Sequence, residues 1–306
     1  MDEIKCEAFL AAVELGSLTA AAEKLGYSQS GVTRMIASLE EEVGFPLVVR
    51  SKKGVVPTAN GQTMIAPLRE IVRAQRTARQ ISSDICGVVT GTMTIGTYFS
   101  IAALILPQIL KDFELRYPKV RVILQEGGNT EMKRWLTERS VDLCFCAEPS
   151  GADCDWIPVF RDHMVAWLPK DHPLAESRSF PVERLGQEPL IRTLVNHDTD
   201  QDRLLEKLHI HPDVRYSTKD GFTTYNMVAA GLGISFNQSL ISRKWNGEVA
   251  EVPLDPPQYI SLGLALPALK EASPATRRFI DCVRARKELW NPADRGTSAA
   301  KAEKQR

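Results

Sequence analysis

The stretch SLTAAAEKLGYSQSGVTRMIASLEEEVGFPLVVR, residues 17–50, leaves the chain little freedom in how it folds. Leu18, Ala21, Ala22 and Leu25 recur at the spacing of one helical face, and Gly26 follows where that helix must stop. Ser28 then stands where a helix N-cap belongs, with a hydroxyl able to accept an orphan backbone N–H. Beyond it Val32, Ile36, Leu39 and Val43 form a second apolar stripe, ended by Gly44. The opposite face of this second helix begins with Gln29, Ser30, Thr33 and Arg34. Together with Ser28 these side chains can reach base edges and phosphates from the N-terminal end of a helix laid in a major groove. Two short helices, a tight break and a polar tip predict a helix-turn-helix. The triplet Glu40, Glu41 and Glu42 would repel DNA, so it belongs at the end turned away from it.

The flanks fit the same unit. Residues 2–15 read as a supporting first helix with Ile4, Ala8, Phe9, Ala12 and Val13 on one side. After the second stripe, apolar segments at 45–49 and 54–56 bracket Arg50, Ser51, Lys52 and Lys53, as a two-stranded wing with a basic tip would. The chain has 38 basic and 38 acidic residues and a formal charge of +0. A DNA binder of that balance must concentrate positive charge locally, and Arg50, Lys52 and Lys53 are where it does so. From Thr58 to Ile85 the pattern is one long helix, capped by Thr58 or Asn60. Met64, Leu68, Ile71, Gln75, Ala78, Ser82 and Ile85 alternate steps of four and three, a seam like that of a coiled coil. Pro67 interrupts this helix, and Gln75 and Ser82 weaken its seam. Cys86 and Gly87 read as a hinge.

From Thr90 onward the period changes. Segments MTIGTY, VRVILQE, VDLCFCA, HMVAWLP, PLIRTL, GISF and SLGLALP alternate with helical stretches, including one through Ile109 to Leu115 and one around Met132 to Thr137. That pattern predicts an α/β region with a mostly parallel sheet. The most apolar run, 101–110, is too short to span a bilayer and holds Pro107, so no membrane association is expected. The acidic start at Asp2 and Glu3 is unlike a secretory signal, so a cytoplasmic protein is expected. Six cysteines (Cys6, Cys86, Cys144, Cys146, Cys154 and Cys282) include no C-x-x-C, and no cofactor or structural zinc is expected. Residues 291–306 are polar and read as a mobile tail.

With Phe9 and Val13 ahead of it, GSLTAAAEKLGYSQSGVTRMIASLEEEVGFPLVVR followed by PTANG resembles the N-terminal signature of LysR-type transcriptional regulators. The segments LPQILKDFELRYPKVRVILQEGG, DLCFCAEP, HPLAE, VAAGLGISF and LALPA resemble the effector-binding part of that family. The resemblance implies a multidomain α+β chain: a winged helix-turn-helix at 1–58, a dimerising linker helix at 59–87, and an effector domain at 88–290. The last would be two α/β lobes resembling a periplasmic binding protein, lobe I at 88–160 and 268–290 and lobe II at 161–267, with crossings near Phe160–Asp162 and Leu266–Ala268. Its implied partners are double-stranded DNA, a small-molecule effector and a second copy in a homodimer or homotetramer, with RNA polymerase as a further candidate.

Ligands of open α/β sheets bind beyond the carboxyl ends of strands. Gly96, Thr97, Tyr98, Phe99 and Ser100 follow the first strand, Gly127, Gly128, Asn129 and Thr130 the second, and Cys146 and Ala147 the third. Exposed N–H groups and hydroxyls there suit a carboxylate or other small anion. The resemblance places these loops on one side of an effector cleft, with Thr193 to His197 and Phe222, Thr223 and Thr224 on the other. Asn237 and Gln238 depart from the family pattern, in which many members have an apolar residue and proline after GLGISF. A redox-sensing alternative would use Cys146 and Cys154, which flank the loop AEPSGAD. An enzyme is not expected: G-x-S-x-G, Walker A and H-E-x-x-H motifs are missing.

Overall fold

The computed structural model of the chain describes residues 1–51, 54–193 and 198–286. The N-terminal unit packs α1 (Glu3–Leu15), α2 (Leu18–Leu25) and α3 (Gln29–Val43) against the strand pair β1 (Val48–Ser51) and β2 (Gly54–Pro57) and the start of α4 (Ala59–Ile85). Each boundary has a local cause. Ser17 accepts the Ala20 N–H and Ser28 that of Gly31, while Gly26 and Gly44, at φ +72° and +83°, end their helices in the left-handed region. Phe9, Ala12, Ala21, Val32, Ile36, Leu39 and Leu47 close one core with Ile65, Leu68 and Val72 of α4. Helix α1 differs in phase from the expectation. Ile4 is exposed, and the buried face is Cys6, Ala8, Phe9, Ala11 and Ala12, because α1 meets α2, α3 and α4 together and small residues admit that close approach.

Thr58 caps α4 by accepting the Gly61 N–H at 2.8 Å, and the helix continues through Pro67 to Ile85. The expected seam divides in two. Leu68 is buried and Met64 and Ile71 half-buried within the N-terminal core, whereas Gln75, Ala78, Ser82 and Ile85 face outward, Ile85 at 81 % exposure.

The remaining elements form two lobes. In chain order they are β3 (Gly91–Thr97), α5 (Phe99–Leu104), α6 (Leu106–Arg116), β4 (Val120–Glu126), α7 (Asn129–Thr137), β5 (Leu143–Ala147) and the long β6 (Asp155–Pro169). Then come β7 (Phe180–Pro181), β8 (Leu190–Thr193), α8 (Asp200–Lys207), β9 (Val214–Thr218), α9 (Gly221–Ala229), β10 (Ser235–Gln238) and α10 (Ser239–Ser242). β11 (Val249–Asp255), β12 (Tyr259–Leu266) and α11 (Pro274–Ala285) complete the described chain. The sheet runs β4-β3-β5-β12-β6-β11-β7, with β10 also on β6. β8 and β9 pair separately, tied to β10's start by a bridge between Leu190 and Ile234.

The sheet is mixed rather than mostly parallel. β3 is parallel to β4 and β5, but β12 is antiparallel to β5 and β6, and β10 and β11 are antiparallel to β6. β6 passes from the first lobe to the second, and the chain returns between β11 and β12, so both of these strands run against β6, which imposes this. β6 pairs with β12 as far as His163 and with β10 and β11 from Met164, so the first crossing lies between these two residues, just beyond Phe160–Asp162. The second comes earlier than Leu266–Ala268. β12 lies wholly along the first half of β6, and Leu262, Leu264 and Leu266 enter the first lobe's core with Met93, Ile95, Phe113 and Phe279. β9 and β11 escaped the sequence reading; β9 shows four exposed residues in five and has no alternating apolar face.

Gly61 tests how tightly α4 and the wing are joined. A Cβ there would lie 2.0 Å from the Leu47 carbonyl oxygen. Replacing glycine by alanine inside a helix ordinarily stabilises by about 1 kcal/mol, but overpacking against backbone costs about 1–3 kcal/mol. Gly61→Ala is therefore expected to lower the denaturant midpoint. A raised midpoint would show that α4 can slide away from Leu47.

Candidate functional site

Two regions of the chain present chemistry to solvent. The first is the start of α3. Gln29, Ser30 and Arg34 are exposed and Thr33 is half-buried. Ser28 is exposed as well, but its hydroxyl is occupied as the cap of Gly31 and lies 3.1 Å from the Ser30 hydroxyl. The acidic far end of α3 is held within the unit. Glu40 accepts the N–H groups of Leu47 and Val48 at 2.7 and 3.1 Å, which fixes where the wing begins. Glu42 pairs with Lys5 and with the Met1 amino group. The wing itself is an antiparallel pair from Val48↔Pro57 to Ser51↔Gly54, docked on α1 by the Val55 N–H to Gly16 carbonyl bond at 2.8 Å. Lys52 and Lys53, and the Arg50 side chain, lie outside the described residues.

The hydrogen bond from Lys5, followed by that from the amino terminus, lowers the Glu42 carboxyl from an ordinary 4.5 to about 2. A depressed folded value stabilises above the unfolded value and is lost as pH falls through the folded one. The stability difference between the wild type and Glu42→Gln is therefore expected at neutral pH and should shrink between pH 4.5 and 2. A difference that persists unchanged at pH 2 would mean that Glu42 acts by packing rather than charge.

The second region is the cleft between lobes. Residues expected there separate into three groups. Thr97, Ser100 and Cys146 are buried in the first lobe; Thr97 donates to the Phe145 carbonyl at 3.2 Å, and Cys146 sits beside Cys144. Other groups are spent on capping and loop structure. The Gly128 N–H donates to Glu131 at 3.0 Å, and Thr223 uses both its N–H and its hydroxyl on Asp220, each at 2.8 Å. Thr193 donates its N–H to Gln201 at 3.2 Å, and its hydroxyl lies 2.8 Å from that of Thr224. Phe99, Thr130 and Phe222 are exposed, Phe222 edge-on to Trp245. Residues 194–197 lie outside the described residues.

Tyr98 and Asn129 form the third group, and they are joined by two residues from the other lobe. The Tyr98 hydroxyl donates to Asn129 Oδ1 and accepts the Ala147 N–H at 3.2 Å. Asn129 Nδ2 reaches Asp200 Oδ1 at 3.4 Å, and Gln238 Nε2 donates to Asp200 Oδ2. Burial foremost raises the Asp200 carboxyl above the usual carboxylate range, against the opposing pull of Arg203 and the two amides. Burial foremost likewise holds the Tyr98 phenol proton well above its ordinary value. The nearest guanidinium, Arg203, is committed to Asp198 through two bonds of 2.7 and 2.6 Å. Beside this bridge the space lined by Asn129, Lys133, Ala147, Asp198 and Arg203 is only 10 Å³, room for no more than about one water. The lobes are drawn together here. A far larger groove of 940 Å³ lies elsewhere, between α4 and α11, lined by residues including Arg73, Ala78, Ile81, Glu271 and Arg277.

Asp200 was not singled out in the sequence, although a signal for its position exists. Thr199 and Asp202 have the spacing of a capping box, and the Thr199 hydroxyl accepts the Asp202 N–H at 3.1 Å. That fixes Asp200 at the first position of α8. The expected cysteine pair, Cys146 and Cys154, is shifted away from ionisation. Cys146 is pushed well up by its bond with Cys144 and by burial, and Cys154 is pushed up by burial. Both therefore stay protonated at neutral pH, where a sensing thiol needs thiolate character. Among the described residues no cluster of His, Cys, Asp and Glu could hold a metal, and no helix is long and apolar enough to cross a membrane.

Comparison with known proteins gives this architecture a family. Residues 5–62 match the bacterial regulatory helix-turn-helix protein, lysR family, and residues 87–288 match the LysR substrate binding domain. The HTH-type transcriptional regulator YvbU of Bacillus subtilis is 29% identical over 293 residues, covering 92% of this chain and 96% of its own. The HTH-type transcriptional regulator cbl of Escherichia coli is 29% identical over 240 residues, 77% of this chain and 75% of its own. Among solved structures, a full-length OxyR variant from Pseudomonas aeruginosa superposes with a TM-score of 0.74 at 21% identity, covering 93% of this chain and 95% of its own. HinK, a LysR family transcriptional regulator from Pseudomonas aeruginosa, superposes with a TM-score of 0.57 at 26% identity, covering 94% and 98%. The chain belongs to the LysR family of DNA-binding transcriptional regulators, with a helix-turn-helix ahead of an effector-binding domain.

Proposed function

We propose that the chain reads a two-fold operator in cytoplasmic DNA and changes its grip when a small anion, a carboxylate above all, enters the cleft. The observation that carries the reading is the division of α3, whose polar first turn is presented outward while Glu40 and Glu42 at the far end are tied into the fold. Gln29, Ser30, Thr33 and Arg34, with Ser28 at the cap, enter the major groove, and Arg50, Lys52 and Lys53 lie along phosphates. The boundaries 1–58, 59–87 and 88–290 serve as reading head, linker and effector unit. Two copies pair along the outward half of α4, where Ala78, Ser82 and Ile85 lack cover in the single chain. A homotetramer is built from two such pairs, and RNA polymerase is a further partner.

Supporting the ligand reading is the bridge from Tyr98 through Asn129 to Asp200 and Gln238, polar chemistry that spans the two lobes at the ends of β3, β4 and β10. A ligand favouring one lobe spacing shifts the population of dimer arrangements and hence the spacing of the recognition helices. The redox alternative through Cys146 and Cys154 has no observation in its favour, since both thiols are shifted away from ionisation.

Arg34→Ala is expected to weaken operator binding. If the contact is to a phosphate, the slope of log affinity against log salt falls by about one. Unchanged affinity would move the interface off this face of α3. For the effector, the full-length protein is screened by thermal shift against small carboxylates and aromatic acids. A ligand at a hundredfold excess over its Kd stabilises by about 2.7 kcal/mol, so a binder raises Tm visibly. No shift across the panel, with operator binding indifferent to every compound, would remove anion control.

A further inference from the structure

The cleft already holds a carboxyl group, and the chain itself provides it. Asp200 is the first residue of α8, and its carboxylate faces Asn129, the first residue of α7, from the opposite lobe. Helix starts carry unsatisfied N–H groups and a positive field end, so two of them meeting across a cleft is where an anion settles. Gln238 donates to the second carboxylate oxygen. Its own Oε1 is buried without a hydrogen-bond partner, although the residue is only 4% exposed. That acceptor belongs to the same amide that holds Asp200, so the amide keeps bonding capacity beside the carboxylate.

We infer that Asp200 is a built-in stand-in for the effector's anionic group, holding the lobes together until a ligand carboxylate replaces it on Asn129 and Gln238. The inference rests on the cleft being the effector site. Its energetics suit exchange. A buried carboxylate costs several kcal/mol unless it is well paired, and here its direct hydrogen-bond partners are two neutral amides, with Arg203 committed to Asp198. The link between lobes, Asn129 to Asp200, is long at 3.4 Å. Asp200 therefore regains hydration when displaced and gives up little. The unpaired Gln238 Oε1 narrows the class of ligand further. It calls for a carboxylate with a hydrogen-bond donor on the adjacent carbon, that is, a 2-hydroxy or 2-amino acid.

Chemical rescue tests this in the full-length protein. Asp200→Gly removes the internal carboxylate and leaves its space. Acetate is expected to raise the variant's Tm saturably, by about 3 °C at a tenfold excess over half-saturation, with glycolate acting at lower concentration. The wild type should respond less to either, and chloride at equal ionic strength should not reproduce the effect. Equal shifts in both proteins, or none in the variant, would overturn the assignment. Should Asp200→Gly fail to fold, Asp200→Asn serves. Its amide cannot accept from both Asn129 and Gln238, so hydrogen exchange over 126–134 and 143–150 should quicken; unchanged exchange would count against the bridge. The two failures can be told apart. Panel compounds that act on the wild type without rescue of the variant leave anion control standing and remove the stand-in. Rescue with no compound acting on the wild type shows that Asp200 occupies an anion site, but removes anion control and with it the stand-in role.

Discussion

The lobes share one long strand, β6, and the geometry of the cleft depends on it. β6 pairs with β12 from Asp155↔Leu266 to His163↔Tyr259, after which it continues into the second lobe and pairs there with β10 and β11. This strand, with the return from β11 to β12 beside it, fixes where the lobes meet. One side of the crossing is stiffened. Asp162 is buried on β6, accepts the Leu240 N–H at 2.8 Å and the Ser239 hydroxyl at 2.7 Å, and so clamps the start of α10 to the crossing strand. Gln238, immediately before α10, is carried along. The residue that holds Asp200 toward the first lobe is thus positioned by the crossing strand itself.

The first lobe is fastened instead to the linker helix. Arg69 meets Glu138 at 2.8 Å, Arg139 meets Glu70 at 3.1 Å and Glu271 at 2.9 Å, and Gln80 of α4 fits over Gly91 where no side chain could sit. Single exposed pairs contribute about 0–1 kcal/mol; these are partly buried and share partners, so together they act as a strut. The helix-turn-helix, α4 and the first lobe are therefore joined by these pairs as one body. Closing or opening the cleft changes the position of the second lobe relative to everything joined to α4.

Much of this was legible in the sequence because its causes are local. A serine cap, a left-handed glycine and stripes at helical spacing define α2 and α3 within a few residues, and the polar face at Gln29, Ser30 and Arg34 follows from them. The same logic found Ala8, Phe9 and Ala12 of α1 but misplaced Ile4 and missed Cys6 and Ala11, because three neighbours, not one, bury that helix. It failed at the sheet. Strand direction is decided by pairing between residues about a hundred positions apart, such as Leu262 with Phe160, and no local pattern encodes that. The α4 seam was correct in period but not in use, since its first half belongs to the DNA-binding core.

The cleft shows why hydroxyls at strand ends are weak markers of a ligand site. Thr97 and Thr223 stood out because they follow strands and precede or enter helices, yet at such places carbonyl and N–H groups left over from the ladder need partners first. Thr97 serves the Phe145 carbonyl, and Thr223 serves Asp220. A hydroxyl bonded this way has little left for a guest. Amides and carboxylates behave differently, because each carries two polar atoms, and one can reach across a cleft or be left over after the other is bonded. Asn129 spends one atom on Tyr98 and the other across the cleft, and Gln238 spends one on Asp200 and leaves one unused. What separates a ligand-facing group from a structural one here is this remainder of bonding capacity, counted atom by atom, and only the folded chain reveals it.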